Sequence, residues 1–275
     1  MDDLLLQAIA MGIVQGLTEF LPVSSSGHLI VVPALLGWDD RFIRSLAFSV
    51  ILHLGTLGAL LAYFRRDWLR LVPAGLDVLR FRSVGDDPDR RLALLVAVAT
   101  VPALVFGAAF NEAIEEPLRR VGVVALALVL GAAILWLAER VGRRRHGLER
   151  LTVPQALGIG VAQAAALVPG ISRSGISIAA GLFAGLERTS AARFSFLMAA
   201  PVTAAAGAFE TVKLVASGGL EATYVGPLLA GLVTSFVAGL LAIGFLLRFL
   251  ARFSVGVFVA YRVALAAIVV VVYLG

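Results

Sequence analysis

Two stretches of the sequence place reactive residue types where polar groups are costly. The first runs from Gln15 to His28, Q-G-L-T-E-F-L-P-V-S-S-S-G-H. The second runs from Gln163 to Ile176, Q-A-A-A-L-V-P-G-I-S-R-S-G-I, at an offset of 148 residues. At that offset Gln7, Gly12, Gln15, Ser24, Ser26 and Gly27 meet Gln155, Gly160, Gln163, Ser172, Ser174 and Gly175. Each stretch carries a hydroxyl-rich, glycine-bearing loop inside a strongly apolar chain. The copies have diverged: Leu167 and Ile176 stand where the first has Glu19 and His28, and Arg173 stands opposite Ser25.

Gln15 and Glu19 are four apart and share one helix face, with Thr18 beside them. A carboxylate in an apolar helix is by default a functional group. Glu19 could hold a divalent cation, Mg²⁺ or Ca²⁺, through oxygen. It could also act as a base, or pair with Arg173 and fix the fold. Ser24, Ser25 and Ser26 lead into Gly27-His28 at an expected helix start. Hydroxyls there cap the helix, and freed N–H groups take an anion. Each serine can be read as a cap or as a nucleophile with Glu19 or His28 as base. His28 suits general acid–base work, or is an interfacial histidine with a satisfied hydrogen bond. The planar fork of Arg173 matches phosphate oxygens. Pairing with Glu19 is its other role, and the two are compatible before substrate binds.

The remaining polar residues read differently. His53 lies mid-span and reads as packed or supporting rather than catalytic. Arg262 is an intramembrane charge that needs a partner, whether for the fold or for the site. His146 sits in a basic loop and reads as solvated.

The elements that must position these residues are membrane helices. At 60% hydrophobic residues and a mean hydropathy of +0.97, the chain of 275 residues is not a soluble domain. About 20 residues span a bilayer, and spanning segments this apolar satisfy their backbones as helices. Cysteine is absent, which excludes disulfides and Cys-ligated metal. The acidic start Met1-Asp2-Asp3 lacks the basic region of a secretory signal, so residue 1 is expected in the mature protein. The net charge of +5 is not a nucleic-acid signal, because the arginines cluster in short loops between apolar runs.

In chain order, an apolar helix over 4–21 stops at Pro22. A short arm over 28–36 follows the serine loop and ends near Gly37. Nine helical residues rise roughly 14 Å, about half the hydrocarbon core, so a re-entrant hairpin is expected. Spans are expected at 45–64, 92–110 and 121–138, with an amphipathic helix over 68–80 in the Arg-rich segment 65–91. After the basic loop 139–150 the plan repeats. A helix over 153–168 is followed by the loop at Ser172, an arm to about 186, and spans at 190–212, 225–249 and 253–274. Phe48-Ser49 resembles Phe194-Ser195 at an offset of 146, and Val121-Gly122-Val123 resembles Val255-Gly256-Val257 at 134. Repeats are therefore expected at 1–138 and 151–275 in one membrane domain.

With three spans per half, the second copy inserts upside down. Placing 65–91, 139–150, 186–193 and 248–252 in the cytoplasm gives 16 basic residues against 5 on the other side, namely Arg41, Arg44, Arg119, Arg120 and Lys213. Both termini then lie outside, and the two hairpin tips meet near the midplane. One tip brings a carboxylate, hydroxyls and an imidazole; the other brings hydroxyls and a guanidinium. That set suits a phosphate ester whose tail stays in lipid, with phosphoryl transfer to a serine or to water.

At these residues the sequence resembles the undecaprenyl-diphosphate phosphatase family, also called the bacitracin-resistance protein family, over essentially the whole chain. The motifs are the (E/Q)-x-x-x-E run leading into L-P-V-S-S-S-G-H, and P-G-I-S-R-S-G; Q-A-A-A-L and F-V-A-Y-R are also similar. The resemblance implies removal of the terminal phosphate of undecaprenyl diphosphate, which recycles the lipid carrier for cell-wall synthesis. It implies six spanning helices, two re-entrant hairpins, inverted repeats, a divalent cation, and a site opening on the outer face of the bacterial inner membrane. Carried over by position, Glu19, Ser25, His28 and Arg173 form the core, with Ser25 the nucleophile and Glu19 the metal ligand. Ser24, Ser26, Gly27, Ser172, Ser174, Gly175 and Gln15 line the phosphate site, supported by Gln163, His53 and Arg262. Many relatives have Glu at the position of Gln15, so metal affinity is expected to be lower here. A homodimer is compatible with the resemblance.

Two other readings compete. Inverted repeats with broken helices also build transporters and lipid flippases, but a transporter needs no nucleophile or base. Ser26-Gly27-His28 superficially matches a type-2 phosphatidic acid phosphatase, which also needs a histidine after its S-R motif. No histidine follows Ser172-Arg173.

Overall fold

A computed structural model describes residues 2–115, 118, 120–216 and 221–274. The described chain is all-helical, an integral membrane protein of multi-pass type. The helices are α1 (Asp2–Phe20), α2 (Ser25–Leu35), α3 (Leu46–Tyr63), α4 (Arg65–Phe81), α5 (Pro88–Glu115) and α6 (Val121–Val141) in the first half. The second half holds α7 (Val153–Ala164), α8 (Arg173–Phe183), α9 (Arg188–Ala216), α10 (Ala222–Leu250) and α11 (Gly256–Leu274). The helices α5, α6, α9, α10 and α11 are each long and apolar enough to cross a membrane. The 18 residues of α3 rise about 27 Å, close to the hydrocarbon thickness. At Phe64 the chain turns by 87° into α4, whose polar and apolar faces are segregated.

Several boundaries differ from the expected ones, each for a local reason. The arm expected over 28–36 begins at Ser25, because Ser24 and not a later residue caps it. At 11 residues it rises about 16 Å, still short of the core. The span expected over 92–110 starts earlier, at Pro88, since a first-turn proline loses no helical hydrogen bond. The helix expected over 153–168 ends at Ala164 and tightens into a 3₁₀ turn over Ala165–Leu167. The amphipathic helix expected over 68–80 runs from Arg65 to Phe81.

Small residues set the closest helix pair. Gly12 and Gly16 face α10, where a Cβ on Gly16 would come within 2.5 Å of the Ala238 Cβ. Membrane helices associate through such close backbone approach. The core holds α3, α6, α8, α9 and α10 side chains, with Phe20 and Phe196 edge to face at 5.3 Å. Outward faces carry Leu241 and Val271, at 67% and 72% exposure, as lipid-facing helices require.

The basic segments meet at one end of the bundle. Asp67 accepts from Arg193 at 2.5 Å and Arg70 at 2.9 Å. Arg91 binds the Glu149 carbonyl at 2.9 Å, and Glu139 pairs with Arg188 and Arg144. Segments 65–91, 139–150 and 186–193 are thus contiguous, as a single membrane face demands. Phe42 stacks on Tyr224 at 4.4 Å elsewhere, joining the loop before α3 to the start of α10. Arg119 and the terminal residues Met1 and Gly275 lie outside the described residues.

Candidate active site

Two serines with positive φ begin the two short helices. Ser24 (φ 76) caps α2, its Oγ accepting from Gly27 N at 3.3 Å. Ser172 (φ 72) caps α8, its Oγ accepting from Gly175 N at 3.1 Å. Left-handed backbone at a non-glycine residue costs on the order of 1 kcal/mol or more, and is retained where the surroundings dictate it. The first residue of α2 is Ser25, and the first residue of α8 is Arg173. Equivalent positions in the two loops therefore carry a hydroxyl and a guanidinium.

Both residues converge on Glu19. Ser25 Oγ donates to Glu19 Oε2 at 2.5 Å, and Gln15 Nε2 donates to the same oxygen at 3.0 Å. Arg173 Nη2 donates to Glu19 Oε1, forming an ion pair between the two loops. His53 Nε2 lies 3.5 Å from Glu19 Oε2, beside the carboxylate rather than merely packed in the span. The Glu19 side chain is only 4% exposed, so its charge depends on these partners.

The other loop hydroxyls have different work. Ser174 Oγ donates to the Leu21 carbonyl at 3.0 Å and so joins the second loop to the first. Ser26 lies 3.4 Å from Ser24 Oγ, and Ser172 lies 3.3 Å from Ser174 Oγ. Ser25 is the one loop serine bonded to a carboxylate among the described residues. His28 does not reach it: Nδ1 bonds the Ser24 carbonyl and Nε2 bonds the Tyr261 hydroxyl, both at 2.7 Å. Gln163 is buried at 2% exposure on α7, and neither of its side-chain polar atoms has a partner among the described residues.

The partners of Arg262 are backbone carbonyls, with no carboxylate among the described residues. The side chain is fully buried. Nε binds Leu128 O at 3.1 Å, and Nη2 binds Gly170 O at 2.8 Å and Ile171 O at 3.0 Å. Nη1 reaches Pro22 O at 3.5 Å. One side chain of α11 therefore holds both loops and α6. Gly170 (φ +104) has no space for a Cβ, which would come within 2.7 Å of Val124 O.

Sequence reasoning missed two participants. Thr203 Oγ1 accepts from Arg173 Nη1 at 2.5 Å, and Tyr261 bonds His28. Thr203 lies four residues beyond Ala199, whose carbonyl it also binds, so it reads as a helix-satisfied threonine. Tyr261 had one signal, its place next to an intramembrane arginine.

For a divalent cation the oxygen donors at hand are the Glu19 carboxylate, the Ser25 hydroxyl and Gln15 Oε1. The last is buried without a hydrogen-bond partner among the described residues. No group of three or more His, Asp or Glu side chains gathers here or elsewhere among the described residues. That set fits a hard cation shared with substrate phosphates, as Mg²⁺ is commonly held, and does not fit an all-protein cage.

Comparison with known proteins places this arrangement in a family. The family description of bacitracin resistance protein BacA matches residues 8–268. The chain belongs to the BacA family. Curated relatives named undecaprenyl-diphosphatase cover nearly the whole chain. One from Rubrobacter xylanophilus is 48% identical over 267 residues, 96% of this chain and 97% of the relative. One from Pelobacter propionicus is 46% identical over 98% of both chains, and one from Gemmatimonas aurantiaca is 45% identical over 96% of both. Both loops lie within the matched residues: the first carries Glu19, Ser25 and His28, and the second carries Arg173.

Proposed function

We propose that the chain hydrolyses undecaprenyl diphosphate to undecaprenyl phosphate and inorganic phosphate, recycling the lipid carrier of cell-wall synthesis. The observation that carries the reading is the Ser25–Glu19–Arg173 chain, in which a hydroxyl, a buried carboxylate and a phosphate-binding fork meet from two loops. A hydroxyl bonded to a carboxylate is an activated nucleophile. A guanidinium beside it neutralises the charge of a transferring phosphoryl group.

In this mechanism Arg173 exchanges its bond to Glu19 for the terminal phosphate of the entering lipid. The exchange frees Glu19 Oε1 while Ser25 still donates to Oε2. Ser25 Oγ attacks the terminal phosphorus, its proton passes to Glu19, and the bridging P–O bond breaks. Undecaprenyl phosphate leaves with the bond electrons on its oxygen, balanced by Arg173. Water then cleaves the phosphoserine: Glu19 returns the serine proton to Ser25 Oγ as the P–O bond breaks, takes the proton the water loses, and passes it to the departing inorganic phosphate, which restores the carboxylate. Gln15 and His53 hold the Glu19 carboxylate in place throughout. A divalent cation held by Glu19, Ser25 and Gln15 Oε1 would add charge neutralisation on the diphosphate.

The inverted repeat, with one hairpin entering from each side, accounts for two like loops meeting inside an apolar body. The positive-inside excess puts the basic end in the cytoplasm, and hence both termini and the site opening on the outer face of the inner membrane.

The test is phosphate release from undecaprenyl diphosphate by purified protein in detergent, with and without chelator. Release that stops on chelation and returns with Mg²⁺ or Ca²⁺ supports the reading. Glu19→Ala and Arg173→Ala should abolish turnover in protein that still folds. Near-full activity in both variants would refute the site.

A further inference from the structure

Tyr261 lies on α11, and its hydroxyl meets His28 Nε2 at 2.7 Å. The two rings stack, with centroids 5.7 Å apart and planes at 13°. The other ring nitrogen, Nδ1, lies 2.7 Å from the Ser24 carbonyl oxygen. A carbonyl only accepts, so Nδ1 carries the proton. Nε2 of the neutral imidazole is then a lone pair, and the phenol O–H donates to it. The bond at one ring nitrogen sets what the other can do. This ring therefore cannot serve as a base through Nε2 without first losing Tyr261.

The held carbonyl has a particular place. Ser24 is the residue whose positive φ and side-chain cap start α2, and the next residue is Ser25. Arg262, next to Tyr261, reaches the Pro22 carbonyl of the same loop at 3.5 Å. Consecutive residues of α11 thus grip the loop on both sides of Val23. Of the two, Arg262 also holds the second loop, whereas Tyr261 acts on the first alone.

We propose that Tyr261 is a positioning residue. It holds His28 in the Nδ1–H tautomer, and through the Nδ1–Ser24 bond it keeps the Ser25 hydroxyl on Glu19. Tyr261 itself transfers no proton to the reacting groups. If the phenol only filled space beside the imidazole, phenylalanine would serve equally, since it keeps the stacked ring and loses only the donor. The activity arm of the test rests on the phosphatase reading; the spectroscopic arm does not.

The test uses full-length protein in micelles with ¹⁵N-labelled histidine, of which the chain has three, at 28, 53 and 146. Wild type should show His28 protonated at Nδ1, with an unprotonated, hydrogen-bonded Nε2. In Tyr261→Phe the Nε2 signal should move to that of a free unprotonated nitrogen. In the same variant kcat should fall about tenfold, the size of one hydrogen bond, with KM changed less than about twofold. Loss of the phosphatase reading would show as no release by wild type, and leaves the spectra decisive. The proposal is overturned by an Nε2–H tautomer in wild type, by unchanged His28 signals in Tyr261→Phe, or by shifted signals with undiminished kcat. The wild-type spectrum alone gives the first of these outcomes if the variant does not fold.

Discussion

Glu19 and Arg173, 154 positions apart in the chain, form an ion pair that joins the two polar loops inside the helix bundle. The pair holds the substrate-free site together, and the proposed chemistry dissolves it. Breaking a buried pair from one side costs roughly 3–5 kcal/mol, because the other charge is left uncompensated. Arg173 is 21% exposed, so its share falls toward the lower figure. Glu19→Gln and Arg173→Gln should each lower thermal stability. The double variant should recover part of that loss, as coupled neighbours do. Turnover should stay lost in all three. Additive thermal shifts in the double variant would sever the link between the two residues.

Ser25 and Ser26 are chemically alike and adjacent, yet only Ser25 bonds Glu19. Ser25→Ala should reduce phosphate release by at least ~10²-fold, the scale of a lost proton-transfer partner. Ser26→Ala should stay within a few-fold of wild type. Ser24→Ala removes the cap of α2 and should lower stability by about 1 kcal/mol. Steady-state turnover and thermal unfolding of the three variants separate nucleophile, bystander and cap.

Much of this arrangement was legible because polar residues stand out in an apolar chain. Glu19 and Arg173 each sit beside a hydroxyl-rich loop with its own Pro-Gly or Gly-His punctuation, so both loops could be located. Residue type and spacing left the three serines alike, and only the family resemblance singled out Ser25; that Ser24 takes the positive φ and the cap, leaving Ser25 to open α2, is seen only in the fold. The sequence left His53 between packing and support, since its approach to Glu19 depends on how α3 meets α1. The partner that Arg262 needs could not be named from the sequence. The residue takes a carbonyl of α6 and carbonyls where the two loops interrupt helical bonding, as broken membrane helices satisfy their backbone. Thr203 lies on a spanning helix with no local polar pattern, and Tyr261 has only its neighbour Arg262 within F-V-A-Y-R, so their bonding partners emerge only in three dimensions.

The carbonyl set around Arg262 makes that residue a structural fastener. A lysine keeps the charge but cannot reach carbonyls of α6 and both loops with one ammonium. Each orphaned buried carbonyl costs about 1–3 kcal/mol. Arg262→Lys should therefore unfold at lower temperature and lose turnover. Gly131→Ala should do the same with Arg262 itself unchanged, because a Cβ there collides with the guanidinium. Gly107→Ala is the control: a Cβ there meets nothing within 4 Å, so stability should hold or rise by up to ~1 kcal/mol. Equal stability of Gly131→Ala and Gly107→Ala would remove the fastener.

Gln15 gives the cation question a direct handle. Its Nε2 donates to Glu19, while its Oε1 is buried without a protein partner among the described residues. Gln15→Glu replaces the donor by a second carboxylate at the same place. Without a cation the two like charges repel, and Glu19 loses a hydrogen bond, so the metal-free variant should be less stable than wild type. With Mg²⁺ present the sign reverses, because two carboxylates hold a hard cation better than one. Chelator-treated Gln15→Glu should thus melt below chelator-treated wild type, and added Mg²⁺ should raise its melting temperature more. The Mg²⁺ concentration for half-maximal phosphate release should fall in parallel. An identical Mg²⁺ response in the two proteins, by melting and by activity, would place the cation away from Gln15 and Glu19.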